Sequence, residues 1–231
     1  MSVAEKMTAI ADAIRGKTGK TDKLSLDEMA TEINEISSGE RDINPEWTNW
    51  QYFSYDNNRN DLVAKLKYSD TSNGTDLSNM FKSCDALTSI PQFDTSKGTT
   101  LAAMFSGCSA LTSIPKLDTS KNTNFVAMFS GCSALTSIPQ LNISKGSSFT
   151  SMFSGCNALV DLNIVGTINK TGLDVSYSTL LSHDSLMSII NALADKTGVS
   201  GTFKVTLGAT NLAKLTADEI AIAEGKRWTV A

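Results

Sequence analysis

MFSGCSALTSIPKLDTSKNTNFVA, at residues 104–127, recurs with few changes as MFSGCSALTSIPQLNISKGSSFTS at residues 128–151. The pattern continues on both sides of this pair, so an array of repeats extends from about residue 62 to about residue 165. Apolar residues and cysteines recur every 24 residues. The recurring positions are Leu77, Leu101, Phe125 and Phe149; Met80, Met104, Met128 and Met152, each followed by phenylalanine; Cys84, Cys108, Cys132 and Cys156; Leu87, Leu111, Leu135 and Leu159; and Ile90, Ile114, Ile138 and Leu162.

A period near 24 residues is typical of a solenoid, in which each repeat forms one coil. One coil cannot bury its own apolar side chains, so successive coils stack and bury continuous columns of equivalent residues. In the first repeat quoted above, Leu111, Ile114 and Leu117 are expected to point inward from an extended stretch. The sequence therefore predicts an α/β repeat solenoid with a narrow parallel sheet.

The second half of each repeat predicts a short helical turn. Phe125, Met128 and Phe129 are spaced i, i+3 and i+4, which places them on one face of such a turn. Gly131 follows and suits the left-handed position that ends a helix. Pro115 lacks an N–H and is expected at a strand end or outside the hydrogen-bond ladder. Each coil should thus combine an extended segment with a helical turn.

The pattern Met-Phe-x-x-Cys-x-x-Leu-x-x-Ile-Pro-x-Leu-Asp-x-Ser resembles the BspA-like leucine-rich repeats. It is similar to their short form, which is common in surface and phage proteins of Gram-positive bacteria and mollicutes. The resemblance covers residues 62–165 and implies a curved stack of coils with a narrow parallel sheet. It implies little about the ligand.

The four cysteines occupy the same slot of successive repeats, and two arrangements suit that spacing. Unpaired cysteine behaves as a small apolar residue, which favours a column of buried free thiols. Stacked coils also bring equivalent Cα atoms within disulfide range, so bridges between neighbouring repeats are the alternative. The constant spacing lacks the Cys-x-x-Cys pairs of a zinc site. We therefore predict a buried thiol column and no metal.

Residues 1–36 predict a helical hairpin that serves for attachment. Ser25 and Glu28 form a capping box at the start of the second helix. The loop at residues 16–23 resembles a phosphate loop only superficially, because its glycine spacing is wrong and no strand precedes it. So short a segment must bury its apolar stripe against the solenoid, another copy of the chain or a larger assembly, and we favour the last two. The stripe is Val3, Met7, Ile10, Ile14, Leu26, Met29, Ile33 and Ile36.

Two further resemblances concern the ends of the chain. The stretch from Ile10 to Ile33 resembles a leader found on tail and baseplate proteins of phages that infect Gram-positive bacteria. The stretch from His183 to Val230 resembles C-terminal caps of phage-encoded proteins that carry these repeats. Both imply a virion component.

Residues 37–61 predict a linker followed by an aromatic segment. The aromatic residues are Trp47, Trp50, Tyr52, Phe53 and Tyr55. They are expected to form an N-terminal cap, because an open solenoid end exposes apolar core. A sugar-binding platform is the alternative.

Residues 166–231 predict an α/β C-terminal cap of alternating strands and helices. We expect a strand at Leu173, Val175 and Tyr177, a helix from Ser182 to about Asp195, a strand at Phe203, Val205 and Leu207, and a helix that opens on the capping box Thr216–Glu219 and is ended by Gly225. Trp228 and Val230 close the chain.

Polar residues between the inward positions form a candidate partner-binding face. This face is almost uncharged and suits hydrogen-bonded contact with a protein or a glycan. Its residues are Thr88, Ser89, Gln92, Thr112, Ser113, Lys116, Thr136, Ser137 and Gln140. The nearby Asp94 and Asp118, with Asn142 in the equivalent slot, are expected to form turns by accepting hydrogen bonds from local N–H groups.

The sequence contains no recognisable catalytic arrangement, so we predict neither an enzyme nor a cofactor. His183 is the single histidine of the chain. It adjoins Asp184 in the first turn of a helix, where the two side chains point to different faces. We expect His183 to be exposed. The array offers no carboxylate pair that would predict a glycosidase.

The composition excludes several classes of protein. A net charge of −4 over 231 residues disfavours nucleic-acid binding, and no polybasic anchor is visible. No apolar run approaches the roughly 20 residues that a membrane span requires. The start of the chain does not read as a signal peptide, so assembly in a host cytoplasm is expected.

Together these observations predict a phage tail or baseplate protein located in the virion. The N-terminal helices would bind other tail or baseplate proteins and form a homo-oligomer, while the repeats would present the partner-binding face to a glycan or protein of the host surface. A bacterial cell-surface adhesin with the same repeats is the alternative, and a cell-wall glycan hydrolase is the least favoured reading.

Overall fold

The computed structural model describes residues 71–72 and 74–231. The predicted attachment helices, their apolar stripe, and the linker and aromatic cap of residues 37–61 lie outside this range. The elements in chain order are β1 (Ser137–Asn142), β2 (Asp161–Val165), α1 (His183–Ala192), β3 (Phe203–Val205), α2 (Ala209–Leu212), α3 (Ala217–Gly225) and β4 (Trp228–Val230).

Equivalent residues of successive repeats lie side by side and pair in parallel. One column of bridges joins Asp76 to Thr100, Thr100 to Asn124, and Asn124 to Ser148. On another side of the coil, β1 pairs in parallel with β2. Residues 24 positions apart therefore lie on neighbouring parallel segments. We propose that this pairing forms the solenoid predicted from the sequence.

The segment around each Met-Phe pair forms two tight turns, so the predicted helical turn is wrong. Met104 N donates to Leu101 O at 3.2 Å and Ser106 N donates to Ala103 O at 3.1 Å, but Phe105 N between them donates to Met128 O of the next repeat at 2.9 Å. Ala103 also has φ 51°, which a right-handed helix does not allow. Alternate N–H groups therefore bond within the repeat and across to its neighbour. Tight turns also bring residues at i, i+3 and i+4 to the core, so spacing alone could not distinguish them from a helix.

The glycine that follows each pair does adopt the left-handed conformation expected of it. Gly107, Gly131 and Gly155 have φ of 81°, 78° and 77°. They also stack closely, since a Cβ on Gly131 would lie 3.5 Å from the Cα of Gly107. The glycine therefore serves both the backbone conformation and the close approach of successive repeats.

The core is a set of parallel columns that run across the repeats. Phe81, Phe105, Phe129 and Phe153 form one column, with ring centroids separated by 5.3, 5.6 and 5.8 Å and nearly parallel planes. All four side chains are fully buried. Columns of methionine, cysteine, leucine and isoleucine run beside them, as the recurring apolar positions predicted.

Pro139 lies within the bounds of β1 but outside its ladder. Ile138 pairs with Leu162 and Leu141 pairs with Ile164, so the register shifts by one residue between them. The last repeat has one residue fewer here and no proline. The missing N–H of Pro139 therefore costs no hydrogen bond in the pairing of β1 with β2.

Two serine hydroxyls of helix α1 form hydrogen bonds with backbone groups along the outer edge of β2. Leu162 N donates to Ser185 Oγ at 2.8 Å, and Ser185 Oγ donates to Val160 O at 3.1 Å. Ser188 repeats the arrangement, accepting from Ile164 N at 3.2 Å and donating to Leu162 O at 3.0 Å. The hydroxyls take the place of a further strand, so the edge of β2 is closed against additional pairing.

The C-terminal region follows the predicted order of elements with four corrections. The first helix ends at Ala192 rather than near Asp195, because Leu193 is extended and pairs with Ile168. The predicted strand at residues 173–177 is reduced to one bridge between Asp174 and Thr206, and Tyr177 is exposed. The second predicted strand is shorter than expected, because β3 ends at Val205 and does not include Leu207. It pairs in parallel with β4.

The fourth correction concerns the end of α3. Gly225 is the last residue of this helix rather than its left-handed terminator, and Arg227 adopts positive φ two residues later. The capping box at its start is present as predicted, with Thr216 Oγ1 accepting from Glu219 N at 3.2 Å and Glu219 Oε2 accepting from Thr216 N at 2.8 Å. Sequence reasoning missed the short helix α2.

Candidate functional site

An open groove of about 810 Å³ crosses three successive repeats on the polar side of the array. Its lining includes Gln92, Lys116 and Gln140, which are equivalent residues of the three repeats. It also includes a second equivalent set, at Asp94, Asp118 and Asn142. We call these two sets the amide wall and the Asx wall. Because each set has one member per repeat, the groove runs along the direction in which the repeats stack.

Buried threonines fix the Asx wall from beneath. Thr71 Oγ1 donates to Asp94 O at 2.7 Å and accepts from Asp94 N at 2.8 Å. Thr119 makes the same two bonds to Asn142, both at 2.8 Å. Thr95 Oγ1 donates to Asp118 O at 2.9 Å. Each wall residue is thus anchored through its backbone to the preceding repeat, which leaves its side chain in the groove.

The side chains of the Asx wall form the local turns that the sequence predicted. Ser96 N donates to Asp94 Oδ1 at 2.8 Å, Ser120 N to Asp118 Oδ1 at 2.9 Å, and Ser144 N to Asn142 Oδ1 at 3.1 Å. The side chain and backbone of Ser120 hold the pKa of Asp118 below its usual range, and Lys121 and Lys116 add to this effect. Asp118 therefore presents a charged carboxylate in the groove, whose lining also includes Lys116.

The predicted partner-binding face divides into two parts in the structure. Gln92, Lys116 and Gln140 line the groove. The threonines are used within the array, since Thr112 Oγ1 donates to Thr88 O at 3.2 Å and Thr136 Oγ1 donates to Thr112 O at 3.1 Å. The serines of the face, Ser89, Ser113 and Ser137, lie outside the groove, and Ser113 pairs with Ser137 through the backbone.

The Asx wall was expected to form turns but not to line a site. The sequence did contain a pattern that could have identified these residues as part of the site. Each of them follows a member of the amide wall by two positions in its repeat. Spacing alone could not show that both sets border one groove, since this depends on how the chain turns between them.

The cysteine column has the character predicted for it. Cys108, Cys132 and Cys156 are free thiols with no exposed surface, and each Sγ donates to a phenylalanine carbonyl of the preceding repeat, at 2.9, 3.1 and 3.1 Å. Burial raises the pKa of Cys156 to about 12 and also raises the pKa of Cys108 and Cys132 strongly. The thiols are therefore protonated hydrogen-bond donors in the core rather than nucleophiles.

Native protein at pH 9 should therefore leave Cys108, Cys132 and Cys156 unmodified by iodoacetamide. An unfolded thiol has a pKa of about 9.0, so guanidinium should make the same three residues react within minutes. The raised pKa also implies that stability falls above pH 9, because only the unfolded state then releases these protons. Mass spectrometry of tryptic peptides reports each site. Prompt labelling of the folded protein would show that the column opens in solution.

His183 is half-exposed at the start of α1, as expected, and it links two helices of the C-terminal region. Its Nε2 lies 2.8 Å from Oε1 of Glu219 in α3, and its Nδ1 lies 3.8 Å from Asp184 Oδ1. Hydrogen bonding from the backbone of Thr216 holds the pKa of Glu219 below its usual range, and His183 contributes. Glu219 thus serves both the capping box and the pairing of α1 with α3.

Glu219→Gln should lower the melting temperature by a few degrees at pH 6. A lowered carboxyl pKa stabilises the fold above the unfolded value of about 4.5, and this stabilisation is lost as the pH falls through the folded value. The difference between wild type and variant should therefore shrink below pH 4.5. Melting curves from pH 3 to pH 7 test this, with Glu224→Gln on the exposed part of the same helix as the control. If the difference in melting temperature between wild type and variant stays constant with pH, the charge of Glu219 does not stabilise the fold.

Among residues 71–72 and 74–231, no cluster of histidine, cysteine and carboxylate side chains is arranged to hold a metal ion. The same part of the chain has no helix of the length and apolar character needed to cross a bilayer.

These features define a class of protein built from short, nearly identical repeats, with a polar groove on the array and a mixed α/β region after it. The chain belongs to the family described as "Mycoplasma protein of unknown function, DUF285", which matches residues 48–164. The matched range contains the repeats from Leu77 onward and both walls of the groove. No curated protein and no solved structure matches the chain significantly.

Proposed function

We propose that the chain is a structural protein of a phage tail or baseplate whose repeats bind the surface of a Gram-positive host. The observation that carries the proposal is the groove. Its walls are the positions at which the repeats keep polar side chains, and these side chains contribute nothing to the apolar columns. An open groove with a few polar side chains on a wall anchored through its backbone suits recognition of an external ligand. The resemblances at Ile10–Ile33 and His183–Val230 support the assignment to a tail or baseplate.

Filling the groove should abolish binding to host cells without unfolding the protein. The variant Lys116→Trp with Gln140→Trp places two indoles between the walls, and Lys145→Trp is a control at an exposed position outside the groove. Flow cytometry of labelled full-length protein on a panel of Gram-positive strains gives the readout. We expect loss of at least tenfold in bound signal for the double variant, with the melting temperature of wild type. Equal binding by both variants would remove the groove from the proposal.

The attachment role is tested separately through the N-terminal apolar stripe. Light scattering of the full chain should report a homo-oligomer, and Ile10→Asp with Ile33→Asp should convert it to a monomer, because each substitution places a charge in the stripe. An unchanged mass for the variant would contradict an assembly role for this segment.

A bacterial cell-surface adhesin is the second candidate, because the repeats resemble a form that is common in surface proteins. Such an adhesin would use the same groove. Immunogold labelling separates the two functions, because a tail protein is labelled on purified virions and an adhesin on intact bacteria.

A further inference from the structure

Two members of the amide wall carry hydrogen-bonding groups that no other described residue uses. The side chains of Lys116 and Gln140 make no hydrogen bond to any part of the chain that the structure describes. Gln92 differs, since its Nε2 donates to Lys116 O at 3.0 Å and to Phe93 O at 3.2 Å. An ammonium group offers three donors, and an amide offers two donors and an acceptor. The central and last repeats of the groove therefore present several donors to whatever enters.

The charges of the groove are few and of mixed sign. Among the described residues of the lining, Lys116 is the single cation, and Asp94 and Asp118 are the two carboxylates. A polyanion needs a row of cations, and a polycation needs a row of carboxylates without an ammonium group among them. The three remaining wall residues are neutral amides. The groove therefore matches a ligand that is uncharged and rich in both donors and acceptors.

The apolar side chains in the described part of the groove lining are Phe93 and Leu117. Phe93 and Leu117 are only 5% and 3% exposed, and the hydroxyls of Thr95 and Thr119 are bonded to the backbone. Protein partners usually anchor aromatic or aliphatic side chains in apolar pockets. The directional contacts to a ligand in the groove would therefore come from the side chains of the amide wall and the Asx wall.

We propose that the groove binds a neutral glycan chain laid along the stack of repeats. Hydroxyl groups on each sugar both donate and accept, so they match donors from Lys116 and Gln140 on one wall and acceptors from Asp118 on the other. The equivalent residues of adjacent repeats are about 4.8 Å apart, so a linear chain meets the same pair of walls repeatedly. This inference rests on the proposed function and names its ligand.

The experiment uses full-length protein and Gram-positive cells that it binds. Cells are treated with periodate, which cleaves the vicinal diols of sugars, or with proteinase K, which removes surface proteins. The variant Lys116→Met with Gln140→Leu removes the donors while keeping side-chain size. Its matched control, Lys145→Met with Asn157→Leu, makes similar changes at exposed positions outside the groove.

We expect periodate to abolish binding, proteinase K to leave it, and the groove variant to bind about tenfold more weakly than its control. Binding that is lost with proteinase K and kept after periodate would identify a protein receptor and overturn the glycan assignment alone. Equal affinity of the groove variant and its control would overturn the assignment of the site. If no strain is bound by the wild type, the proposed function fails and the glycan assignment fails with it.

Discussion

Phe129→Ala should lower the free energy of unfolding by about 3–5 kcal/mol, which is a large part of the stability of an ordinary domain. The ring of Phe129 is fully buried between the rings of Phe105 and Phe153, at centroid distances of 5.6 and 5.8 Å. Its removal leaves a cavity in the middle of the column, and each neighbouring ring loses a stacking partner. Because the neighbouring apolar columns hold the repeats at their spacing, Phe105 and Phe153 cannot move together to close the cavity. Thermal melting followed by circular dichroism measures the loss.

Tyr177→Ala is the matched control for this substitution. Tyr177 is also aromatic, but it is 56% exposed, so its truncation should change stability by about 0.5 kcal/mol or less. A similar loss for both variants would show that the phenylalanine column does not hold the repeats together.

Deleting residues 104–127 should leave a folded protein with one repeat fewer. The deletion joins Ala103 to Met128, which restores the Ala-Met-Phe sequence present at Ala127. Phe81 would then meet Phe129, and Cys84 would meet Cys132, as equivalent residues of adjacent repeats. In a stack held by nearest-neighbour contacts, this change removes one repeat and one interface and leaves the others intact. Circular dichroism and size-exclusion chromatography should therefore show a compact, cooperatively melting protein.

Deleting residues 104–115 is the contrasting experiment. It removes half a repeat, so every later apolar residue is displaced by 12 positions relative to the preceding coil. Polar residues would then face the core opposite the columns of the first repeat, and several buried contacts worth about 1–5 kcal/mol each would be lost. We expect an unfolded or aggregated protein. Equal stability of the two deletions would contradict the 24-residue repeat as the unit of structure.

The positions of the core residues could be predicted from the sequence because the chain repeats the same local environment several times. Leu111, Leu135 and Leu159 are buried for one reason, and the recurrence makes that reason visible without a structure. The same holds for the buried thiols and for the turns at Asp94 and Asp118. The capping box of α3 was also predictable, since it depends on residues only three positions apart.

The groove could be predicted only in part. Gln92, Lys116 and Gln140 were identified because they lie between inward-facing residues. The Asx wall was assigned a purely local role, although its members are held in place by Thr71, Thr95 and Thr119 of the preceding repeat. Such a hydroxyl bonds to a residue about one repeat away, so the local sequence around either residue does not indicate the contact.

The sequence by itself determined the length of the repeat and the residues that face the core. Only the tertiary structure decided that tight turns replace a helix at each Met-Phe pair and that serines of α1 form hydrogen bonds along the edge of β2. It also decided that the amide wall and the Asx wall line one groove. The physical reason is the same in each case. The N–H of Phe105, the N–H of Leu162 and the backbone of Asp94 all find their partners in another coil or element, and the choice of partner sets the local conformation.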